Sequence, residues 1–200
     1  KAKNAERKLK GDAAGDSWTW LAIEAESKLI LSYEVGKRDE KACGRFLSKL
    51  NKAAFGDRIQ VTSDGYACYT HGVPMAMGSR IDFAQLIKTY ASSRSETRYS
   101  PAKITGIDKT PRFGNPDWDK ISTSYSERLN LTVRMSVRRF TRLTNAHSKT
   151  NEHHAAMISI FVAYYNFCRK HETLKGKTPA MQSGIAGEVW SVEQLLKAIA

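Results

Sequence analysis

The chain has 200 residues, 41% of them hydrophobic and four of them tryptophan, which suits one folded domain with a sizeable core and excludes a disordered tail. No apolar run reaches the roughly 18 residues of a membrane span, so a cytoplasmic protein with no membrane partner is expected. A net charge of +12, from 32 Lys and Arg against 20 Asp and Glu, points to a polyanionic partner, above all nucleic acid.

Residues 1–16 read as a basic N-terminal segment. From 17 to 36, SWTWLAIEAESKLILSYEVG, two apolar runs flank Glu24-Ala25-Glu26-Ser27. This predicts a β-hairpin buried on both faces, in the middle of a sheet covered by helices. Asp39 opens a helix to about Ala54, with Ala42, Cys43, Phe46, Leu47, Leu50 and Ala54 on its core face. Arg58 to Thr62 reads as a short strand that stops at Ser63-Asp64-Gly65. Hairpin, helix and strand in succession imply a mixed α/β sheet with a crossover. Asp64 stands just past a strand's C-terminal end, where open α/β sheets bind ligands, though Asp-Gly is also a common turn.

From 66 to 91 the pattern is weaker, with 81–90 read as a strand that becomes helical. Residues 92–120, with three prolines, read as an irregular surface insertion. Over 124–144 a helix is expected with two unlike faces. Leu129, Val133, Ser136/Val137, Phe140 and Leu143 form a buried stripe. Glu127, Asn130/Leu131, Arg134, Arg138 and Arg142 form the other, with Glu127 in the first turn, where the helix dipole favours an anion. Serines 122, 124 and 126 are candidate caps. Arg128, Arg134, Arg138, Arg139, Arg142 and Lys149 fall in a window, 128–150, that contains no Asp or Glu. Basic charge is thus concentrated where a phosphate-tracking surface would need it. A long helix from 151 to 169 follows, then a turn at Gly176, a Thr178-Pro179 helix start and an amphipathic end from Val192. The core is therefore placed at 17–150, with a helical C-terminal part over 151–200.

The three cysteines (Cys43, Cys68, Cys168) are far apart and expected to be reduced. His147, His153, His154 and His171 do not have the spacing of a metal cluster, since adjacent histidines leave a helix on different faces. Tyr164 and Tyr165 sit among Phe161 and Phe167, as packing residues do.

Ser126-Glu127-Arg128-Leu129-Asn130-Leu131-Thr132, the run Arg138 to Lys149, and Tyr164-Tyr165-Asn166-Phe167-Cys168-Arg169-Lys170-His171 carry a more specific likeness. With Leu174 and Thr178-Pro179-Ala180 they give the order Tyr-Asn-x-x-Arg-x-His-x-x-Leu…Thr-Pro. The chain resembles, over roughly residues 16–195, the DDE transposases of the insertion-sequence-one class. The resemblance implies an α/β, RNase H-like mixed sheet flanked by helices. It implies metal-dependent cleavage and transfer of DNA strands at insertion-sequence ends. Asp64 then matches the second acidic residue of the triad, Glu127 the third, and Arg134 the basic residue two turns beyond the glutamate. Mg²⁺ (or Mn²⁺) would be held by Asp64 and Glu127. Arg134, Arg138, Arg142, Lys149, Arg169 and His171 would face DNA, both transposon ends and target, in a homo-oligomer associated with the nucleoid. The family's first Asp lies on a strand ahead of the hairpin, and this sequence begins after that point. Asp16 and Glu24 are poorly placed to replace it. A catalytically inactive DNA-binding remnant and an RNase H-like nuclease without strand transfer are the alternatives.

Overall fold

The structure, a computed structural model, describes residues 17–90, 103–141, 145, 146 and 148–199. In chain order its elements are strands β1 (Trp18–Ile23) and β2 (Ile30–Gly36), helix α1 (Glu40–Ala53), strand β3 (Ile59–Ser63) and helix α2 (Ala67–Met77). Strands β4 (Ile81–Tyr90) and β5 (Ile104–Phe113) follow, then helices α3 (Ser124–Ser136), α4 (Asn151–Ala163), α5 (Pro179–Gln182) and α6 (Val192–Ile199). The class is mixed α/β, as expected. The chain forms two compact units, one of residues 54–124 and one of the flanking segments up to 53 and from 125 onward.

In the flanking-segment unit, β1 and β2 pair antiparallel, from Trp18↔Gly36 to Ile23↔Ile30. The turn between them is held by the Glu24 carboxylate, which accepts from the backbone N–H groups of Glu26 (2.8 Å) and Ser27 (2.6 Å) and from the Ser27 hydroxyl. Helices cover both faces of the hairpin. On one, Trp20 meets Phe46 of α1 at 5.9 Å, and the Glu34 carboxylate takes Arg45 (2.7 Å) and Lys49 (2.6 Å). On the other, Tyr33 bonds Ser159 of α4 at 2.7 Å, and Leu21 and Ile23 pack on a core of Ile30, Leu129, Val133, Val137, Phe161 and Tyr165. The expected helix cover is present, but among the described residues the hairpin is a two-stranded sheet and not the centre of a larger one. One reason is local: both backbone groups of Ile30 are taken by the Asn166 carboxamide, at 3.0 Å each, as a neighbouring strand would take them.

In the 54–124 unit the sheet order is β3-β4-β5, with β3 parallel and β5 antiparallel to β4. β4 is extended throughout, and its first six residues are buried. Two sequence expectations are corrected here. Residues 81–90 do not become helical, because β4 is the central strand, paired with β3 over 81–85 and with β5 over 83–90. The supposed irregular insertion contains β5, a ten-residue strand; 92–102 lie outside the described residues. Pro111 masked that strand in the sequence, but β5 is an edge, and Pro111 sits opposite Ala84 beside a register shift, where a missing N–H is tolerated. Helix α2 was not anticipated either, because Gly72 and Pro74 lie inside it and interrupt helical periodicity. The sheet is locked to the following loop by Asp82, which accepts from Arg58 Nε (2.6 Å) and Nη2 (2.5 Å) and from the Asn115 N–H (2.6 Å).

Candidate functional site

Asp64 follows the last residue of β3 and precedes α2 by three positions. Its side chain is exposed, and Oδ1 accepts the Tyr66 N–H at 3.1 Å, closing a tight turn. The turn is bolted from the sheet by Gln85, which is only 1% exposed. Gln85 Nε2 donates to the carbonyls of Asp64 (2.9 Å) and Tyr66 (3.3 Å), while its Oε1 accepts from Arg112 Nε (2.8 Å) and Thr70 Oγ1 (3.3 Å). Every hydrogen-bonding position of that amide is filled. Gly65 packs closely here, since a Cβ would lie 3.0 Å from the Ile87 side chain. Asp64 is therefore both an Asp-Gly turn and a rigidly presented carboxylate.

Glu127 lies in the first turn of α3 and is exposed, with Arg134 exposed two turns below it. Ser122 serves the helix start, its Oγ accepting the Ser124 N–H at 3.2 Å. Leu129 and Val133 bury the opposite face, as the stripe predicted. The helix is shorter than expected. It ends at Ser136, Val137 is extended (φ −115°, ψ 103°), and Arg138 to Phe140 form a separate 3₁₀ turn. The β-branched, buried Val137 holds the core contact while the backbone turns away, so Arg138 does not continue the Glu127–Arg134 row, although it is exposed. Lys149 is exposed as well. Arg142 and Leu143 lie outside the described residues. Arg134, Asn130 and Val133 line a cleft of about 380 Å³ with Trp18, Leu21 and Phe140.

The Tyr-Asn-x-x-Arg-x-His segment turns out to be mostly framework. After α4 the chain makes a π-helical turn over Tyr164–Cys168, with the Arg169 N–H reaching the Tyr164 carbonyl at 3.0 Å. Asn166 thereby faces β2, and Arg169 reaches Ser136 Oγ at the end of α3 (3.4 Å). His171 stacks edge-on against Tyr165 at 4.8 Å. Burial and the nearby Arg169 and Lys28 charges hold its pKa down, and its Nε2 is buried with no hydrogen-bond partner among the described residues. Thr178 caps α5, accepting the Met181 N–H at 3.2 Å, with Pro179 at the first helical position. Sequence reasoning missed a second polar chain: Thr19 Oγ1, His154 and Ser148 are linked at 3.1 and 3.2 Å, and Arg139 donates to Ser148 at 2.6 Å. Burial, then the Arg139 charge, lowers the His154 pKa. Nothing in the local sequence signals that Thr19 and His154 meet, because they are 135 positions apart.

Asp64 and Glu127 belong to different compact units, while Glu127, Arg134, Arg138, Arg169 and His171 share one. No group of three His, Cys, Asp or Glu side chains suited to a metal gathers among the described residues. No helix among them is long and apolar enough to cross a membrane.

No family model matches the chain, and no solved structure does. The chain is similar to the insertion element iso-IS1n protein InsB of Shigella dysenteriae, with 25% identity over 157 residues that cover 78% of this chain and 88% of that protein.

Proposed function

We propose that this protein is a transposase of the DDE type, with an RNase H-like core that cleaves DNA strands at insertion-sequence ends and joins them to a target. The observation that carries the reading is the similarity to an insertion-element protein along 88% of that protein's length. On the resemblance to that class, Asp64 would be the second acidic residue of the triad and Glu127 the third, with Arg134 seven residues on. Carboxylate oxygens suit a hard divalent cation, and Mg²⁺ is commonly held by one or two carboxylates plus substrate phosphates. Asp64 and Glu127 would hold Mg²⁺ (or Mn²⁺), and the exposure of both side chains fits that role. When bound, the ion would stabilise charge on the phosphoryl oxygens and activate the attacking oxygen.

The chain's own residues supply position and charge. Arg134, Arg138, Arg142, Lys149 and Arg169 would neutralise backbone phosphates, consistent with the excess of +12. His171 packs against Tyr165, and its assignment to DNA rests on the resemblance alone. Assembly as a homo-oligomer on DNA belongs to the same proposal. A second reading, a DNA-binding protein without catalysis, needs only the basic excess of +12 and no metal site.

Cleavage of an oligonucleotide carrying an insertion-sequence end, measured with Mg²⁺ beside binding of the same DNA, separates the two. Asp64→Asn and Glu127→Gln are expected to reduce cutting by about 10²-fold or more, the several kcal/mol that a metal ion contributes, with binding retained. Cutting that survives both changes would remove the catalytic assignment. DNA binding without any cutting by the unaltered protein would favour the second reading.

A further inference from the structure

Arg112 stands on β5, in the stretch that the sequence pattern assigned to an irregular insertion, and it is exposed. An exposed arginine is ordinarily free to sweep through many rotamers. Arg112 is not, because its Nε donates at 2.8 Å to Gln85 Oε1, an atom of a side chain that is 1% exposed. The other end of the same carboxamide donates at 2.9 Å to the Asp64 carbonyl. One buried amide therefore fixes both the backbone that carries the Asp64 carboxylate and the guanidinium of Arg112. Among the described residues the two Nη groups of Arg112 have no acceptor, and Arg112 makes no ion pair with Asp64 or any other carboxylate. A guanidinium anchored through Nε, with its outer nitrogens unengaged, has the geometry to meet two oxygens of a phosphate.

We infer that Arg112 is a nucleic-acid phosphate contact beside Asp64, and that Gln85 is the residue that positions it. The inference rests on the DNA reading above and deepens it by naming a contact outside the α3 segment. Gln85 is a positioning residue only, since its four hydrogen bonds are spent within the protein.

The test is binding of a fluorescently labelled DNA duplex by the full chain, in EDTA, over a range of salt concentrations. Arg112→Ala is expected to lower the slope of log K against log[salt] by about one, as the loss of one phosphate contact does. Arg112→Lys keeps the charge but not the fork or the Nε anchor. Its slope should stay near that of the unaltered protein while affinity falls about tenfold, the loss of one charge-assisted bond. Gln85→Met, compared at matched fold content by circular dichroism, should give the same tenfold loss with an unchanged slope. An unaltered slope for Arg112→Ala would overturn the contact. Wild-type affinity for both Arg112→Lys and Gln85→Met would overturn the positioning. Because no cutting occurs in EDTA, these results stand apart from the fate of Asp64 and Glu127 in the cleavage assay.

Discussion

Single residues in this protein do the work of missing strands and loops. Asn166 is the clearest case: its amide binds both backbone groups of Ile30, and it is 6% exposed, so water cannot replace it. Asn166→Ala is expected to leave an N–H and a carbonyl unsatisfied, at about 1–3 kcal/mol for each orphaned group, measured as a fall in urea midpoint. Asn166→Asp keeps the acceptor for the Ile30 N–H but loses the donor and buries a charge, and should be no less damaging. Gly114 is a second. Its φ is +67°, and a Cβ there would lie 2.3 Å from Asp82 Oδ1 and 2.7 Å from the Ile81 carbonyl. Gly114→Ala should lower stability by at least the roughly 1–2 kcal/mol of a left-handed alanine and loosen the Asp82–Arg58 pair. Arg58, then the Asn115 N–H, holds the Asp82 carboxyl below its ordinary range. That contribution is present above the unfolded carboxylate pKa and is lost as pH falls through the depressed folded value.

Among the elements, the joint between β1 and α4 carries a titratable link. His154 is hydrogen-bonded at both ring nitrogens, to the hydroxyls of Thr19 and Ser148, and Arg139 donates to the same Ser148 hydroxyl. Its folded pKa is lowered by burial and by Arg139, and that of His171 by burial, Arg169 and Lys28. A depressed histidine contributes stability that is whole above its unfolded pKa, about 6.5, and is lost as pH falls towards the folded value. The unfolding midpoint should therefore drop between about pH 7.5 and about pH 5.5, a window set by the ordinary histidine pKa, and His154→Gln should flatten part of that drop. A pH-independent midpoint across the window would contradict a depressed folded pKa for these histidines. These elements also show what a sequence pattern can carry. The hairpin, α1 and the Leu129/Val133 stripe were legible, because each repeats apolar residues at the period of one element packed on one core. Helix α2 and strand β5 were not, because Pro74 and Pro111 break the local pattern while tertiary position tolerates them. The end of α3 at Ser136 was hidden for the opposite reason: Val137 keeps its apolar place in the row although the backbone has left the helix.

For the whole molecule, the charge of +12 and the similarity to an insertion-element protein point to DNA. The sequence singled out Asp64 and Glu127, and the folded chain presents each one exposed and on a fixed piece of backbone, at a strand end and in a first helical turn. Gln85 and Arg112 were out of reach of any local pattern, because their role depends on β4 lying between β3 and β5. The claim that joins these observations is that Asp64 and Glu127 hold the cation that drives strand cleavage. The most direct test is a crystal structure of the protein with Mn²⁺ and an insertion-sequence end, read from the anomalous signal of the metal. The account predicts carboxylate oxygens of both Asp64 and Glu127 at about 2.1–2.2 Å from bound metal, the length of a hard-cation bond to oxygen. Metal bound elsewhere on the DNA complex, with either carboxylate turned away from it, would contradict the account.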